Sequence, residues 1–136
     1  MSDHAVYLIG GDDDEMGSIT YGHEEGVCKI AFYYRDRTIE ASASDYFDAF
    51  SLIRTQIEQE GLIPFCYGAS LNVFPSGMCR DMGSGLSAYR LTNGQAPERA
   101  DLVNIFDSGH DVIPASVKNQ KAFYSAWLQS MNRGSQ

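Results

Sequence analysis

The sequence predicts an α+β domain, a largely antiparallel sheet with two amphipathic helices packed on it. Two observations carry that expectation: the elements run strands, helix, strands, helix, and the turns between them are too short for repeated parallel crossovers. At 136 residues and 43% apolar side chains, the chain can build one hydrophobic core and is too short for two. Gly and Pro punctuate short periodic segments, with no internal repeat or linker between them, so residues 1–136 are read as a single domain.

Ala5 to Ile9 is an apolar run closed by Gly10-Gly11 and reads as the first strand, followed by an acidic loop, Asp12-Asp13-Asp14-Glu15. From Val27 to Tyr34, apolar residues fall on Cys28, Ile30, Phe32 and Tyr34 with Lys29 on the opposite parity, the pattern of a strand with one buried face. Arg35-Asp36-Arg37 makes a turn, and Thr38 to Ala43 returns with Ile39, Ala41 and Ala43 on one face, completing an antiparallel hairpin. A helix follows: Ser44 is a good N-cap, Asp45 and Asp48 place negative charge in the first turn, and Tyr46, Phe50, Ile53 and Ile57 recur at helical spacing. Gly61 stands where the chain leaves the helix, and Pro64 forbids continuation.

Leu62 to Phe74 is rich in aromatic and β-branched residues and reads as one long or two short strands, broken by Pro75-Ser76-Gly77. Gly83 to Gly85 is a second flexible point. Strands are expected at Leu86 to Leu91 and Leu102 to Phe106, with a turn at Asn93-Gly94. The closing helix opens at Pro114, a favoured first helical position, and carries Val117, Tyr124, Trp127, Leu128 and Met131 before Gly134.

Composition narrows the function classes. Eighteen acidic against ten basic residues give a net charge of −8, which repels phosphate backbones and anionic lipid and favours a basic partner. No apolar stretch approaches membrane-spanning length, and Met-Ser-Asp-His lacks the layout of a signal peptide, so a cytoplasmic protein with no membrane association is expected. Cys28, Cys66 and Cys79 are odd in number and spaced for neither a disulfide framework nor a paired-thiolate zinc site, as suits reduced thiols.

The motifs that could carry chemistry fall short of it. Gly83-Ser84-Gly85-Leu86-Ser87-Ala88 matches the letters of a dinucleotide fingerprint without the strand before it or the helix after it. The Asp12 and Asp13 registers of a calcium loop each lack a ligand or the required glycine. Ser84 lacks the flanking glycines of a nucleophile elbow, Cys79 has Arg80 beside it but no histidine near in sequence, and His4, His23 and His110 lack metal-ligand spacing. Arg80-Asp81 reads as an ion pair within a loop, with an anion site as the alternative. Phe123, Tyr124 and Trp127 read as core. No cofactor or catalytic residue is assigned, and the chain is not expected to be an enzyme.

The strings YGASLNVFPSGMCRDMGSGLSAYRL and DLVNIFD, within Leu62 to Asp107, resemble immunity proteins of bacterial contact-dependent growth-inhibition systems. The resemblance covers about a third of the chain. It implies a cytoplasmic antitoxin that binds the C-terminal toxin domain of a large exported effector, often a ribonuclease, and blocks it. An acidic inhibitor suits such a partner, because nucleases are basic towards their polyanionic substrate. The contacts are expected in Asp12, Asp13, Asp14, Glu15, Glu24 and Glu25, with Tyr21 as an aromatic anchor. Two alternatives stand beside this reading: a small enzyme or anion-binding protein with its site around Gly77 to Gly85, and a structural adaptor subunit.

Overall fold

A computed structural model describes residues 2–134 and has the α+β architecture. Five antiparallel strands form the main sheet: β1 (Ser2–Ile9), β2 (Glu15–Glu24), β3 (Val27–Tyr34), β4 (Arg37–Ala43) and β5 (Ile63–Pro64), in the order β4-β3-β2-β1-β5. A smaller antiparallel sheet joins β6 (Val73–Phe74), β7 (Ser87–Arg90) and β8 (Leu102–Asn104) in that order. The helices are α1 (Tyr46–Glu58), α2 (Gly77–Gly83) and α3 (Val117–Gly134), and none among the described residues is long and apolar enough to cross a membrane.

The core lies between the main sheet and α1. Tyr46, Phe50, Ile53 and Ile57, the stripe read from the sequence, are all buried together with Phe47 and Ala49, against Val6, Leu8, Ile19, Ile30 and Phe32. Each such aliphatic or aromatic side chain contributes about 1.5–3 kcal/mol by leaving water. The expected hairpin is present. Arg35 and Asp36 take left-handed φ values of 49° and 58° at its turn, and Ile39, Ala41 and Ala43 face the core. Gly61, at φ 78°, ends α1, where the Leu62 N–H donates to the Ile57 carbonyl at 3.1 Å.

Several elements differ from expectation. The first strand starts at Ser2 rather than Ala5. The ten residues Glu15–Glu24 are the longest strand among those described, where the sequence reading assigned no strand and ended its acidic loop at Glu15. Gly17, Ile19 and Tyr21 point inward there, while Ser18, Thr20 and Gly22 point out. The N-cap of α1 is Asp45, not Ser44: its Oδ1 accepts the Asp48 N–H at 2.8 Å. Leu62 to Phe74 holds two strands of two residues each, separated by a 3-10 turn at Tyr67–Ala69. The Gly77 break is the start of a third helix, α2, capped by Ser76 Oγ, which accepts the Cys79 N–H at 3.1 Å. The strands expected at Leu86 to Leu91 and Leu102 to Phe106 shorten to Ser87–Arg90 and Leu102–Asn104. Pro114 bridges to Ser70 instead of opening the last helix, which begins at Val117 after Ser116 caps the Asn119 N–H.

A charged side chain of α1 is also fully buried. Arg54 of α1 is 0% exposed, and its guanidinium donates to the carbonyls of Gly68 (2.8 Å) and Ala115 (3.0 Å) and to Gln120 Oε1 (2.7 Å). Gln120 Nε2 lies within hydrogen-bond distance of the carbonyls of Gly68, Ser70 and Val73. Burial pulls the Arg54 pKa down to about 10, so the group remains a cation at neutral pH. This network ties the start of α3 to α1 and to the 3-10 turn. Further along α3, Tyr124 stacks on Phe74 at 4.0 Å and Trp127 Nε1 donates to the Thr92 carbonyl.

Candidate protein-binding face

Packing α1 against one side of the main sheet leaves the other side open: no described element covers it. The open face carries Ala5, Tyr7 and Ile9 from β1, Met16, Ser18, Thr20 and Gly22 from β2, Lys29, Ala31 and Tyr33 from β3, and Thr38 and Glu40 from β4. Tyr7 (60% exposed) is paired directly across from Met16 (49%), Tyr33 lies diagonally from Met16, and Ile9 follows Tyr7 on the same face. Four large apolar side chains gathered on one uncovered face are unusual for a surface that stays in water.

The acidic loop stands at the lip of this patch. Asp12, Asp13 and Asp14 are exposed at the β1–β2 turn, and with Tyr7, Ile9 and Phe65 they line a cleft of about 420 Å³. None of the three carboxylates is in an ion pair with a described residue. The loop leaves β1 through Gly10, whose φ of 110° and approach to Gly61 admit no side chain: a Cβ there would lie 2.0 Å from the Gly61 carbonyl oxygen.

The other expected contact residues are placed differently, although Glu15 lines the same cleft. Glu15 turns away into a two-pronged pair with Arg35, at 2.6 and 2.9 Å, and that guanidinium holds its carboxyl below the usual range. Tyr21 points into the opposite face, with ring centroids 5.1 Å from those of both Tyr46 and Phe106, so it does not anchor a partner on the open face. Glu24 and Glu25 lie at the far end of β2, about 30 Å from the loop by strand rise. Lys29 bridges Glu24 (3.5 Å) and Glu40 (3.2 Å) there, and Glu25 is exposed in the β2–β3 turn. The acidic surface therefore has two poles, and the apolar patch lies beside the one at Asp12 to Asp14. Tyr7, Ile9, Met16, Tyr33 and Phe65 were not singled out from sequence, although the odd positions of β1 carry the signal: Tyr7 and Ile9 are apolar on the face opposite Val6 and Leu8.

No protein-family model matches the chain, and no curated protein matches it either.

Elsewhere, the glycine-rich stretch is built differently from a substrate loop. Arg80 pairs with Asp45 (2.7 Å) and Asp48 (2.9 Å) rather than Asp81, and its guanidinium lies over the rings of Phe47 and Phe74. Two carboxylates neutralise the charge that an anion would need. Gly83-Ser84-Gly85 follows a helix and precedes a strand, the reverse of the dinucleotide-binding order. Among the described residues, no group of three or more His, Cys, Asp or Glu side chains is placed to hold a metal.

One pairing that sequence spacing hid is Cys28 with His23, cross-strand neighbours whose Sγ and Nε2 lie 3.4 Å apart, while Tyr46 Oη sits 3.3 Å from His23 Nδ1. Cys28 is 1% exposed, and burial raises its pKa. A thiol that is shut off from solvent and kept protonated is a poor nucleophile.

Proposed function

We propose that this chain is a protein-binding inhibitor, an immunity protein that captures the toxin domain of a contact-dependent growth-inhibition effector in the cytoplasm. The observation that supports this reading is the junction of three carboxylates without an ion pair among the described residues, Asp12, Asp13 and Asp14, with the exposed Tyr7–Met16 pair on a sheet face that no described element covers. An apolar centre supplies most of the binding free energy once water is excluded, and the charged rim steers encounter. A basic toxin nuclease, a ribonuclease first among them, fits both parts. Its cationic substrate groove meets the carboxylates, and the bound inhibitor keeps RNA out.

Self-association on this face is opposed by its charge. Both ends of β2 are acidic, with Asp12 to Asp14 at one and Glu24 and Glu25 at the other, so two copies stacked face to face with their strands aligned bring carboxylates together in either direction. A partner of opposite charge meets no such penalty, which favours an inhibitor over a self-assembling adaptor.

The test is association kinetics with the toxin domain encoded beside this chain, measured across a salt series. Replacing Asp12, Asp13 and Asp14 by Lys slows association at least tenfold at low salt and flattens the salt dependence, because the steering charge is reversed. Tyr7→Ala acts on the other rate and speeds dissociation, as loss of a buried aromatic does. An unchanged on-rate in the lysine variant removes the acidic loop from the interface.

A further inference from the structure

At the second acidic pole, the structure points to a pocket for one side chain of the partner. We propose that the cleft over Gly22 receives an arginine, whose guanidinium is held by the carboxylates of Glu24 and Glu40. This deepens the protein-binding reading and rests on it.

Gly22 is the first observation. It sits inside the longest strand on the open face, directly across from Lys29 and next to the Thr20–Ala31 pair. A glycine there lowers strand stability, and in strands it marks a bulge, a bend or a site where another group comes close. The structural reasons are missing at this position: β2 pairs with β3 without interruption from Ser18 to Glu24, the φ of Gly22 is not left-handed, and a Cβ built on it meets nothing within 4 Å. Gly17 in the same strand differs, because a Cβ there would lie 2.7 Å from Phe32 Cζ. What remains for Gly22 is room for a ligand. A cleft of about 260 Å³ lies at Gly22, and Tyr33, Lys29, Glu24 and Glu40 are among the residues that line it.

The charge around the cleft is the second observation. Glu24 and Glu40 share a single cation, Lys29, at 3.5 and 3.2 Å, and Glu25 adds a third carboxylate at the turn. One ammonium against three carboxylates leaves room for a second cation. A guanidinium fits better than another ammonium: its planar fork offers paired donors to two carboxylates, and its face can lie on an aromatic ring such as Tyr33. Lys29 is only a point charge on a flexible stem, so it can shift to one glutamate and leave the other to the incoming arginine.

The pocket can be tested without a toxin. The isotopically labelled full chain is titrated with acetyl-arginine-amide and followed by amide NMR, with acetyl-citrulline-amide as the uncharged isostere. Saturable shifts centred on Gly22, Lys29 and Glu40, at least tenfold weaker for citrulline and abolished in Gly22→Val, are expected. The Asp12, Asp13, Asp14→Lys variant keeps them, because its changes lie at the other pole. Scattered, unsaturable shifts, or shifts that persist in Gly22→Val, overturn the pocket. Toxin binding by Gly22→Val then separates the two claims. If the pocket takes arginine and toxin affinity is unchanged, the inference about the partner fails while the acidic-loop interface stands. If neither pole's variant affects the toxin, both acidic poles lie outside the interface, and the inference fails with the steering role of the acidic loop.

Discussion

Gly22 and Gly17 stand five residues apart in one strand for opposite reasons, and their substitutions are expected to move stability in opposite directions. A valine at Gly22 enters open space and adds a β-branched residue to the strand, so it stabilises the fold by about 0.5–1 kcal/mol while filling the cleft. A valine at Gly17 collides with Phe32 and destabilises. Urea unfolding of the two variants checks this, and an equal loss in both would mean that Gly22 is a structural glycine after all. Glu60 makes a different point. Its carboxyl is held below the usual range by hydrogen bonds from Tyr34 and Arg37, so its contribution is fully present above its ordinary pKa of 4.5 and is lost as pH falls through the lowered folded-state value. Glu60→Gln is expected to flatten the fall in urea midpoint below pH 4.5 relative to the parent chain; parallel curves for the two proteins would deny the coupling.

Among the elements, α3 depends most on a contact that lies far away in sequence. Its first turn is held by the Arg54–Gln120 network, so Arg54→Ala leaves the Ala115 carbonyl and Gln120 Oε1 short of a donor and opens a cavity, at a cost of about 3–5 kcal/mol. Calorimetric unfolding and exchange of the α3 amides measure that loss; a change under 1 kcal/mol would show that the helix is held by Tyr124 and Trp127 instead. Sequence reading could not find this pair, because 66 residues separate the partners and an arginine inside a helical stripe looks like a solvent position. The α1 stripe was readable because burial follows helical spacing. The β3–β4 hairpin was readable because apolar residues alternate around a charged turn. Strand β2 was missed because Gly17, Ser18, Thr20 and Gly22 have the composition of a loop, and only Ile19 and Tyr21 carry the alternation. That miss had a functional cost: without β2 the acidic residues look like one surface, whereas the strand sends Glu15 and Tyr21 to the inner side and sets Glu24 and Glu25 about 30 Å from Asp13. Short α2 was hidden between two glycines that read as breaks.

At the scale of the whole molecule, the fold divides its labour between the two sides of one sheet. The inner side holds the core against α1, and the buried thiols Cys28 and Cys66 belong to that side. No described element covers the outer side, which is apolar next to Asp12 to Asp14 and acidic at both ends, and it is the surface on which the proposed function depends. The net charge of −8 adds a long-range field that draws a basic partner towards every orientation of the molecule, while the two poles favour one of them. The most direct test of that division is calorimetry of the proposed partner, a toxin domain encoded beside this chain, against the parent chain and a Tyr7→Ala, Met16→Ala double variant, with the toxin's nuclease activity assayed in the same titration. The account expects one-to-one binding that abolishes activity in the parent and an affinity at least a hundredfold weaker in the folded variant; equal affinity in both would place the interface elsewhere and contradict it.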